Sequence, residues 1–303
     1  MAPAAQQLIG LIGHPIAHSR SPAMQQAALD ALGIAARYEL WDTPARKLKA
    51  RVAALRAPGI LGANVTIPYK AAVLPLLDDV TPEARRHACA VNTIVREEAG
   101  GQVRLVGHNT DLVAILRLLD EHAAWSASRR MLVLGAGGAA QAALGAALLR
   151  DAEPWVAVRH PKRGRAALAA LWAREHAEAD APPPLPRAWR ERVVDLANAG
   201  ALEAALAHTG VLVNATPVGL GDPQSSPLPL ALLRTLPREA LVFDMAYSPP
   251  ETALVRAARA AGLRAAGGLL MLLYQGAAAF TLWTQREAPL AVMRAALDLS
   301  ATE

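Results

Sequence analysis

Lys70 is a candidate for proton transfer, and it follows a predicted strand that ends in polar residues. Residues 60–67 predict a strand that ends in polar groups, and Pro68 stops it because proline cannot continue a central ladder. Asn64 and Thr66 are two residues apart, so both side chains point to one face of that strand. Lys70 is then presented beside a polar face. A lysine held near apolar walls can act as an acid or a base, whereas most lysines are simply solvated at the surface.

Ser19 and Ser21 form a second candidate group, which precedes a helix. The pair Ser21-Pro22 predicts a helix start, with the serine as cap and the proline in the first helical position. The helix is predicted to continue to about Leu32, where Gly33 ends it. Two hydroxyl groups beside a helix N-terminus suit a small carboxylate. The alternative is that Ser21 only caps the helix.

Two more polar residues stand at the edges of predicted elements. Asn92 lies among apolar neighbours in a strand predicted over Ala90–Val95. Asp111 opens a helix predicted over Leu112–Glu121. An acid in the first turn of a helix is often only a partner of the helix dipole, so Asp111 by itself indicates no function.

A glycine-rich turn at the middle of the chain predicts a binding site for a dinucleotide. Met131–Leu134 predicts a buried strand, and Gly135 permits the tight turn that follows it. The missing side chain of Gly137 lets the backbone approach a pyrophosphate. A helix predicted over Ala139–Arg150 would then offer its unpaired N–H groups and positive dipole end to the anion. The alternative is an ordinary glycine-rich turn between a strand and a helix.

The segment after the next strand carries basic residues where many such sites carry an acid. Trp155–Val158 predicts that strand, and Arg159 lies roughly 20 residues past the glycine turn, where an acid would hold the ribose 2′-hydroxyl of NAD. Lys162, Arg163 and Arg165 add further positive charge. The segment therefore favours the 2′-phosphate of NADP, with NAD as the alternative.

Composition excludes several classes of protein. The chain has 303 residues, of which 53% are hydrophobic, so it can bury two cores of ordinary size and is not largely disordered. The net charge is +5, but the basic residues are dispersed and aromatic residues make up only 4%, which disfavours a nucleic-acid surface. Cys89 is the single cysteine, which excludes an internal disulfide and a cysteine-rich metal site. The apolar run Leu269–Trp283 is shorter than the roughly 20 residues of a membrane span. We therefore expect a cytoplasmic protein. We also expect that it binds no metal.

Other elements follow the same patterns. Val211–Thr216 and Leu241–Met245 predict buried parallel strands, with Thr216 and Met245 at the ends where ligands bind in such sheets. Gly267-Gly268 breaks the chain before a helix predicted over Leu269–Thr284. The remaining predicted elements are strands over Leu8–Gly13 and Tyr38–Asp42, a helix over Pro44–Arg56, a short helix from Thr81, a hairpin at Gly100-Gly101 and a last helix from about Pro289 to Leu299.

The motifs resemble, in their order along the chain, those of shikimate dehydrogenases. The matching segments are His14-Pro15-Ile16-x-His18-Ser19-x-Ser21-Pro22, Asn64-Val65-Thr66-Ile67-Pro68-Tyr69-Lys70, Ala90-Val91-Asn92-Thr93, Asn109-Thr110-Asp111, Gly135-Ala136-Gly137-Gly138-Ala139, Asn214-Ala215-Thr216-Pro217-x-Gly219, Asp244-Met245-x-Tyr247-x-Pro249, Gly268-Leu269-x-Met271 and Gln275. The chain departs from the family pattern at Gln25-Gln26, which replace His-Asn, at Leu112, which replaces Gly, and at Gly267, which replaces Asp.

The resemblance implies that the protein reduces 3-dehydroshikimate to shikimate with a nicotinamide cofactor. It implies that Lys70 and Asp111 form the catalytic pair. The substrate-binding residues would be Ser19, Ser21, Asn64, Thr66, Asn92, Asp111, Tyr247 and Gln275. The cofactor-binding residues would be Glu83, Gly135, Ala136, Gly137, Gly138, Ala139, Arg159, Lys162, Arg163, Thr216, Met245 and Gly268.

The resemblance also implies the architecture, an α/β fold in which a substrate domain precedes a doubly wound, Rossmann-type cofactor domain. The substrate domain would span residues 1–110 and be completed by helices in residues 269–303, the cofactor domain would span residues 111–268, and the active cleft would lie between them. Quinate or aminoshikimate dehydrogenase activity is the nearest alternative, and an NADP-sensing regulator is an alternative without turnover. We expect a monomer or a homodimer.

Overall fold

The computed structural model describes residues 6–122, 125, 128–178 and 181–299. The chain divides into two compact units. The first comprises Met1–Arg85, Cys89–Ala114 and Leu272–Glu303, and the second comprises Arg86–Ala88 and Ile115–Met271. Within the described residues, no helix combines the length and the apolar character that a bilayer crossing requires.

The first unit is built on a mixed six-stranded sheet. Its strands are β1 (Gln7–Gly13), β2 (Ala36–Asp42), β3 (Ile60–Val65), β4 (Asp79–Val80), β5 (Thr93–Ala99) and β6 (Gln102–His108), and its first two α-helices are α1 (Ser21–Ala31) and α2 (Leu48–Ala54). The spatial order of the strands is β2-β1-β3-β5-β6-β4. β1 pairs in parallel with β2 and β3, whereas β5 is antiparallel to both β3 and β6. The hairpin predicted at Gly100-Gly101 is confirmed, since the two residues connect β5 and β6 at positive φ.

One face of this sheet carries a tightly packed apolar core. Ile12 of β1, Val65 of β3, Ile94 of β5 and Leu105 of β6 are each at most 1% exposed and belong to one cluster. The cluster includes Leu55, which directly follows α2. Burial of side chains from four strands holds the ends of β3 and β5 in a fixed register, and those ends carry the polar residues of the candidate site.

The start of α1 differs from the sequence-based prediction. The helix begins at Ser21, so Pro22 takes the second helical position, and Arg20 occupies the position before the helix without a side-chain cap. Arg20 already has helical torsion angles (φ −87°, ψ −5°), and its carbonyl accepts from the Met24 N–H. The prediction that Ser21 caps the helix is therefore wrong. The Ser19 hydroxyl accepts from the Ser21 N–H at 3.2 Å instead.

Three other predicted elements have different bounds. The helix predicted over Pro44–Arg56 consists of a 3₁₀ turn at Ala45–Lys47 followed by α2. The strand predicted from Ala90 begins only at Thr93, which leaves Asn92 in irregular backbone. The short helix after Thr81 includes a π-helical stretch at Ala84–Ala88.

The second unit is a doubly wound parallel sheet with helices. Its strands are β7 (Arg130–Leu134), β8 (Glu153–Val158), β9 (Val193–Asp195), β10 (Val211–Asn214), β11 (Leu241–Asp244) and β12 (Arg264–Ala266). Its helices are α4 (Gly138–Leu149), α5 (Pro161–Glu175), α6 (Arg187–Arg190), α7 (Ala199–Leu206) and α8 (Ala253–Ala260), and α3 (Thr110–Glu121) leads into it. α9 (Gly268–Thr284) and α10 (Leu290–Ala296) close the chain, so the last helix is shorter than predicted. The predicted strand, glycine turn and helix at residues 131–150 are confirmed.

The strand order of the second unit identifies where a ligand would bind. The order is β12-β11-β10-β7-β8-β9, and all pairs are parallel. Numbered along the unit, this is the 3-2-1-4-5-6 order of dinucleotide-binding sheets, in which the direction of winding reverses between the first and fourth strands. Those strands are β7 and β10. Their central residues, such as Leu132 and Leu212, are fully buried, so the strands are fixed and the loops after them form the rim of the crevice.

Candidate active site

Lys70 and Asp111 form an ion pair in the first unit. Lys70 Nζ donates to Asp111 Oδ2 at 2.6 Å, and the two side chains are 20% and 6% exposed. Asp111 lies in the first turn of α3. The Lys70 carbonyl accepts from the Val91 N–H at 2.8 Å, which fixes the lysine backbone beside the segment that leads into β5. The structure thus brings the predicted catalytic residues together, with the ammonium group still partly accessible.

Asn92 holds the other side of the Asp111 carboxylate. Asn92 Nδ2 donates to Asp111 Oδ1 at 2.9 Å and to Thr110 Oγ1 at 3.0 Å. Asn92 Oδ1 accepts from the Thr110 N–H at 2.7 Å, so the amide is bound to the helix start through both of its ends. Both oxygens of Asp111 therefore accept hydrogen bonds, one from Lys70 and one from Asn92. Asn92 is 2% exposed, so its side chain is held by protein groups and not by water.

Asn109 fixes the start of the helix that carries Asp111. Its Oδ1 accepts from the Leu112 N–H at 2.8 Å, which satisfies a donor that the helix cannot pair internally. Its Nδ2 donates to the Ala90 carbonyl at 2.8 Å. One buried side chain therefore caps α3 and ties it to the segment before β5. Asp111 is placed by a cap and a sheet connection together.

The other predicted substrate residues of the first unit lie at the ends of its central elements. Asn64 on β3 is 5% exposed, and its Nδ2 donates to the Asn92 carbonyl at 3.1 Å. Thr66 lies one residue past the end of β3, so only Asn64 of the two belongs to the strand. Gln275 on α9 is 9% exposed, and its Oε1 lies 3.5 Å from Asn92 Nδ2. Asn92 thus connects Asn64, Asp111 and Gln275.

The three remaining predicted substrate residues lie at or just before the start of α1 and in the loop after β11. Ser19 is partly buried, and its hydroxyl accepts from the Ser21 N–H. Ser21 is 6% exposed at the start of α1. Tyr247 belongs to the second unit, where it lies half-buried three residues after β11. The substrate-binding roles of these residues stay predictions.

The glycine turn has the geometry that close approach of an anion requires. Gly135 has φ +109°, and a Cβ there would lie 3.2 Å from the Ala215 carbonyl oxygen and from Thr216 Cγ2. Gly137 precedes α4 in extended conformation without a side-chain cap, and a Cβ built on it would meet no atom within 4 Å. The space beside Gly137 at the N-terminus of α4 is therefore open, and the unpaired N–H groups of such a helix start fit a dinucleotide pyrophosphate. Gly138 is exposed, while Ala136 and Ala139 are partly exposed.

The basic segment lies at the end of the neighbouring strand. Arg159 directly follows β8 and is exposed. Lys162 and Arg163 are exposed in the first turn of α5. Parallel strands β7 and β8 are paired, so both the glycine turn and Arg159 lie at the C-terminal edge of one sheet. The sequence predicted both features from their spacing alone.

The remaining predicted cofactor residues are distributed over both units. Thr216 follows β10 by two residues, and Met245 directly follows β11. Gly268 begins α9 where a Cβ would lie only 2.4 Å from the Met245 carbonyl oxygen, so it lets the helix start approach that loop. Glu83 belongs to the first unit, where it is exposed just before the π-helical stretch. The cofactor-binding role of Glu83 stays a prediction.

Asn214 and Asp244 organise the loops after β10 and β11, and neither was among the predicted site residues. Asn214 Nδ2 donates to Asp244 Oδ1 at 2.8 Å, and Asn214 Oδ1 accepts from the Thr216 hydroxyl at 2.7 Å. Asp244 Oδ2 accepts from the Thr252 hydroxyl at 2.6 Å. Burial raises the pKa of Asp244, while the hydrogen bonds from Thr252, the Ala246 N–H and Asn214 oppose that shift. A polar residue at the end of a buried strand was the available sequence signal.

The comparisons with known proteins agree with this geometry. Residues 11–94 match the shikimate dehydrogenase substrate-binding domain, and residues 268–297 match the shikimate 5′-dehydrogenase C-terminal domain. A shikimate dehydrogenase (NADP(+)) from Symbiobacterium thermophilum is 43% identical over 293 residues, which cover 96% of this chain and 93% of that protein. The chain belongs to the shikimate dehydrogenase family.

Solved structures extend the similarity to the whole fold. The shikimate 5-dehydrogenase of Thermus thermophilus, in complex with NADP(H) and shikimate, matches with a TM-score of 0.78 and 38% identity, over 96% of this chain and 98% of that chain. A quinate dehydrogenase from Corynebacterium glutamicum in complex with NAD matches with a TM-score of 0.80 and 31% identity, over 96% of this chain and 98% of that chain. Both dehydrogenases share the family fold with this chain.

Proposed function

We propose that the protein is an NADP-dependent oxidoreductase that interconverts 3-dehydroshikimate and shikimate. The observation that carries this proposal is the 2.6 Å pair between Lys70 Nζ and Asp111 Oδ2, in a chain of this family. The first unit acts as the substrate domain and the second as the cofactor domain. A protein that only senses the cofactor has no need for a buried carboxylate that orients a lysine.

Lys70 supplies the proton in the direction of reduction. NADPH, when bound, supplies a hydride to the carbonyl carbon of the substrate. Negative charge then develops on the carbonyl oxygen, and a donor must lie within hydrogen-bond reach of it. The oxygens of Asp111 both accept hydrogen bonds, from Lys70 and Asn92, whereas the Lys70 ammonium keeps two N–H groups beyond the one given to Asp111. Lys70 is therefore the donor of the pair, and Asp111 orients it.

The polar residues around this pair bind the substrate. Ser19 and Ser21 provide hydroxyl groups near the start of α1 for the carboxylate. Asn64, Asn92 and Gln275 provide amide groups for the ring hydroxyls, joined through Asn92. Thr66 completes the set in the first unit, and Tyr247 is the predicted substrate residue of the second unit. A polyhydroxylated acid needs several fixed donors and acceptors, and buried amides supply both kinds.

The second unit fits NADP. The first turn of α4 and the open space at Gly137 suit the pyrophosphate, and the exposed Arg159, Lys162 and Arg163 suit a 2′-phosphate. No acid occupies the position where NAD-binding folds hold the ribose hydroxyl. Thr216, Met245 and Gly268 lie at the ends of β10 and β11 or at the start of α9, where they would flank the nicotinamide half.

Quinate is the second candidate substrate, because a quinate dehydrogenase matches this chain with a TM-score of 0.80. The deciding experiment offers the purified protein shikimate or quinate with NADP⁺ or NAD⁺ and follows the absorbance of the reduced nicotinamide. We expect the highest kcat/KM with shikimate and NADP⁺. A higher kcat/KM with quinate would replace the proposed substrate. Tight NADP binding without turnover of either acid would identify a sensor instead.

A further inference from the structure

Tyr38 is a buried phenol in the first unit that none of the resembling motifs contains. It lies on β2, is 6% exposed, and its ring packs near Trp283 with centroids 6.3 Å apart. Its hydroxyl lies 2.8 Å from Asn64 Oδ1, and it also shares a hydrogen bond with the Ser21 side chain. Tyr38 therefore connects a residue assigned to the substrate carboxylate with a residue assigned to the ring hydroxyls.

The neighbours of Asn64 decide which group donates in the bond to Tyr38. The Asn64 amide faces the Asn92 carbonyl oxygen at 3.1 Å and Thr93 Oγ1 at 3.1 Å. A carbonyl oxygen can only accept, so the atom of Asn64 that faces it must be the NH₂ group. Asn64 Oδ1 then faces Tyr38, and the phenol must donate. Burial raises the pKa of Tyr38, against an opposing effect of the Ser21 hydrogen bond, so the phenol retains the proton that it donates.

These bonds leave the Asn64 carboxamide with one unused hydrogen-bonding position, which is an acceptor. Its two N–H groups are used by Asn92 and Thr93, and one lone pair of Oδ1 is used by Tyr38. Only the second lone pair of Oδ1 remains. Asn64 can thus meet a ligand as an acceptor, which suits a hydroxyl group and not a carboxylate or a carbonyl.

We propose that Tyr38 is a positioning residue of the substrate site, whose hydroxyl holds the Asn64 carboxamide so that Oδ1 accepts a hydrogen bond from a ring hydroxyl of the substrate. This inference rests on the proposed function. Tyr38 acts through Asn64, because its hydroxyl reaches the residues assigned to the ring hydroxyls by the bond to that carboxamide.

The test removes the hydroxyl and keeps the ring. We expect Tyr38→Phe to raise the KM for shikimate about tenfold, because an oriented buried hydrogen bond is lost, with an unchanged KM for NADP⁺. Destabilisation alone would reduce the active fraction and thus kcat, and would leave the KM for shikimate unchanged. The matched control is Tyr69→Phe, which also removes a buried phenol hydroxyl, one that donates to the Thr43 carbonyl at 2.7 Å and not to a substrate residue. An equal rise of the KM in both variants, or no rise in Tyr38→Phe, would overturn the inference.

A double-mutant cycle covers the case in which Tyr38→Phe does not fold. In Tyr38→Phe/Asn64→Ala, neither partner is left with an unpaired buried group, which favours folding. We expect the double variant to have the KM for shikimate of Asn64→Ala alone, since Tyr38 has no carboxamide left to hold. A further rise in the double variant would mean that Tyr38 acts by a route other than Asn64, such as its bond to Ser21, and would overturn the inference. A wild-type protein that does not oxidise shikimate would instead refute the proposed function.

Discussion

Lys70 Nζ and Asp111 Oδ2 lie 2.6 Å apart although 41 residues separate them in the chain. The contact exists because β3 and β5 are paired in the sheet, and because Asn92, which directly precedes β5, is hydrogen-bonded to Thr110 and Asp111 at the start of α3. The Lys70 ammonium group, fixed in this way, retains N–H groups that a substrate could use. Its orientation also depends on residues without an assigned role in substrate binding, such as Thr110 and Asn109.

The ion pair should behave as one catalytic unit. We expect Lys70→Ala to lower kcat by about 10²- to 10⁴-fold, since a positioned proton donor contributes about that much. The affinity for NADP⁺ should persist, because the second unit is unchanged. Asp111→Asn should lower kcat as well, and the double variant should be no slower than Lys70→Ala. Steady-state kinetics and NADP⁺ titration of the three variants provide the measurement.

Lys49→Ala is the control for that series. Lys49 is exposed on α2 in the same unit and has no assigned role. We expect wild-type kinetics from it. Strictly multiplicative effects of Lys70→Ala and Asp111→Asn on kcat would contradict a shared role of the two residues.

Gly137 should be needed for the cofactor and dispensable for folding. It has φ −85°, which alanine adopts freely, and a Cβ would meet no protein atom within 4 Å. Gly137→Ala should therefore keep the wild-type Tm. The new methyl group would occupy the space that a pyrophosphate needs, so we expect the KM for NADP⁺ to rise about tenfold.

Gly145 lies farther along the same helix, and its replacement by alanine should reduce stability, unlike the replacement of Gly137. A Cβ at Gly145 would lie 2.4 Å from the His87 carbonyl oxygen. We expect a loss of about 1–3 kcal/mol in the free energy of unfolding from overpacking. Thermal unfolding with and without NADP⁺ separates the two effects. A large loss of Tm in Gly137→Ala would mean that the space beside it is needed by the protein itself.

Arg159 should select between the two nicotinamide cofactors. Arg159→Ala removes an exposed guanidinium group at the end of β8. We expect kcat/KM for NADP⁺ to fall about tenfold through loss of a charge-assisted hydrogen bond, while kcat/KM for NAD⁺ stays the same. Arg187→Ala, at another exposed arginine of the second unit, should change neither value. Equal losses with both cofactors would show that Arg159 does not contact the 2′-phosphate.

His108 should make the stability of the protein depend on pH. Burial lowers the pKa of His108 below its ordinary value of 6.5, against the opposing charges of Glu97 and Glu83, and Nε2 has no hydrogen-bond partner in the described residues. The unfolded chain therefore binds a proton at a higher pH than the folded chain does. The contribution to stability is complete above pH 6.5 and is lost as the pH falls towards the lowered value.

Urea unfolding at several pH values measures this effect. We expect the unfolding free energy of the wild type to fall relative to that of His108→Gln as the pH drops below 6.5. His18→Gln, which replaces an exposed histidine, should follow the wild-type curve. A constant difference between the wild type and His108→Gln across this range would contradict a role for the proton.

Local patterns predicted the parts of the fold that depend on local chemistry. The strand before Gly135, the turn and α4 follow from an apolar run, two glycines and small helix-forming residues, and all three were predicted. The start of α1 was misplaced, because Arg20 adopts helical torsion angles before the Ser21-Pro22 pair. The sequence cannot reveal that shift, since serine is compatible with both positions.

Residues of the candidate site that belong to sequence motifs could be predicted. Contacts within the site that depend on tertiary structure could not. Lys70 and Asp111 were predicted as a pair from the family resemblance, not from any property of residues 70 and 111 alone. The bond between Tyr38 and Asn64 joins positions 26 residues apart on strands that both pair with β1, so it depends on the sheet register. Asn214 and Asp244 likewise meet because β10 and β11 are neighbours.

Asn109, the cap of α3, restricts which residues position 109 tolerates. Serine, aspartate and asparagine are nearly interchangeable at most helix starts. At position 109 they are not, because Asn109 accepts from the Leu112 N–H and simultaneously donates to the Ala90 carbonyl. An aspartate would repel that carbonyl, and a serine would be too short for both bonds. Substitutions that are harmless in other helices would here loosen the first turn of α3 and release the carboxylate that it carries.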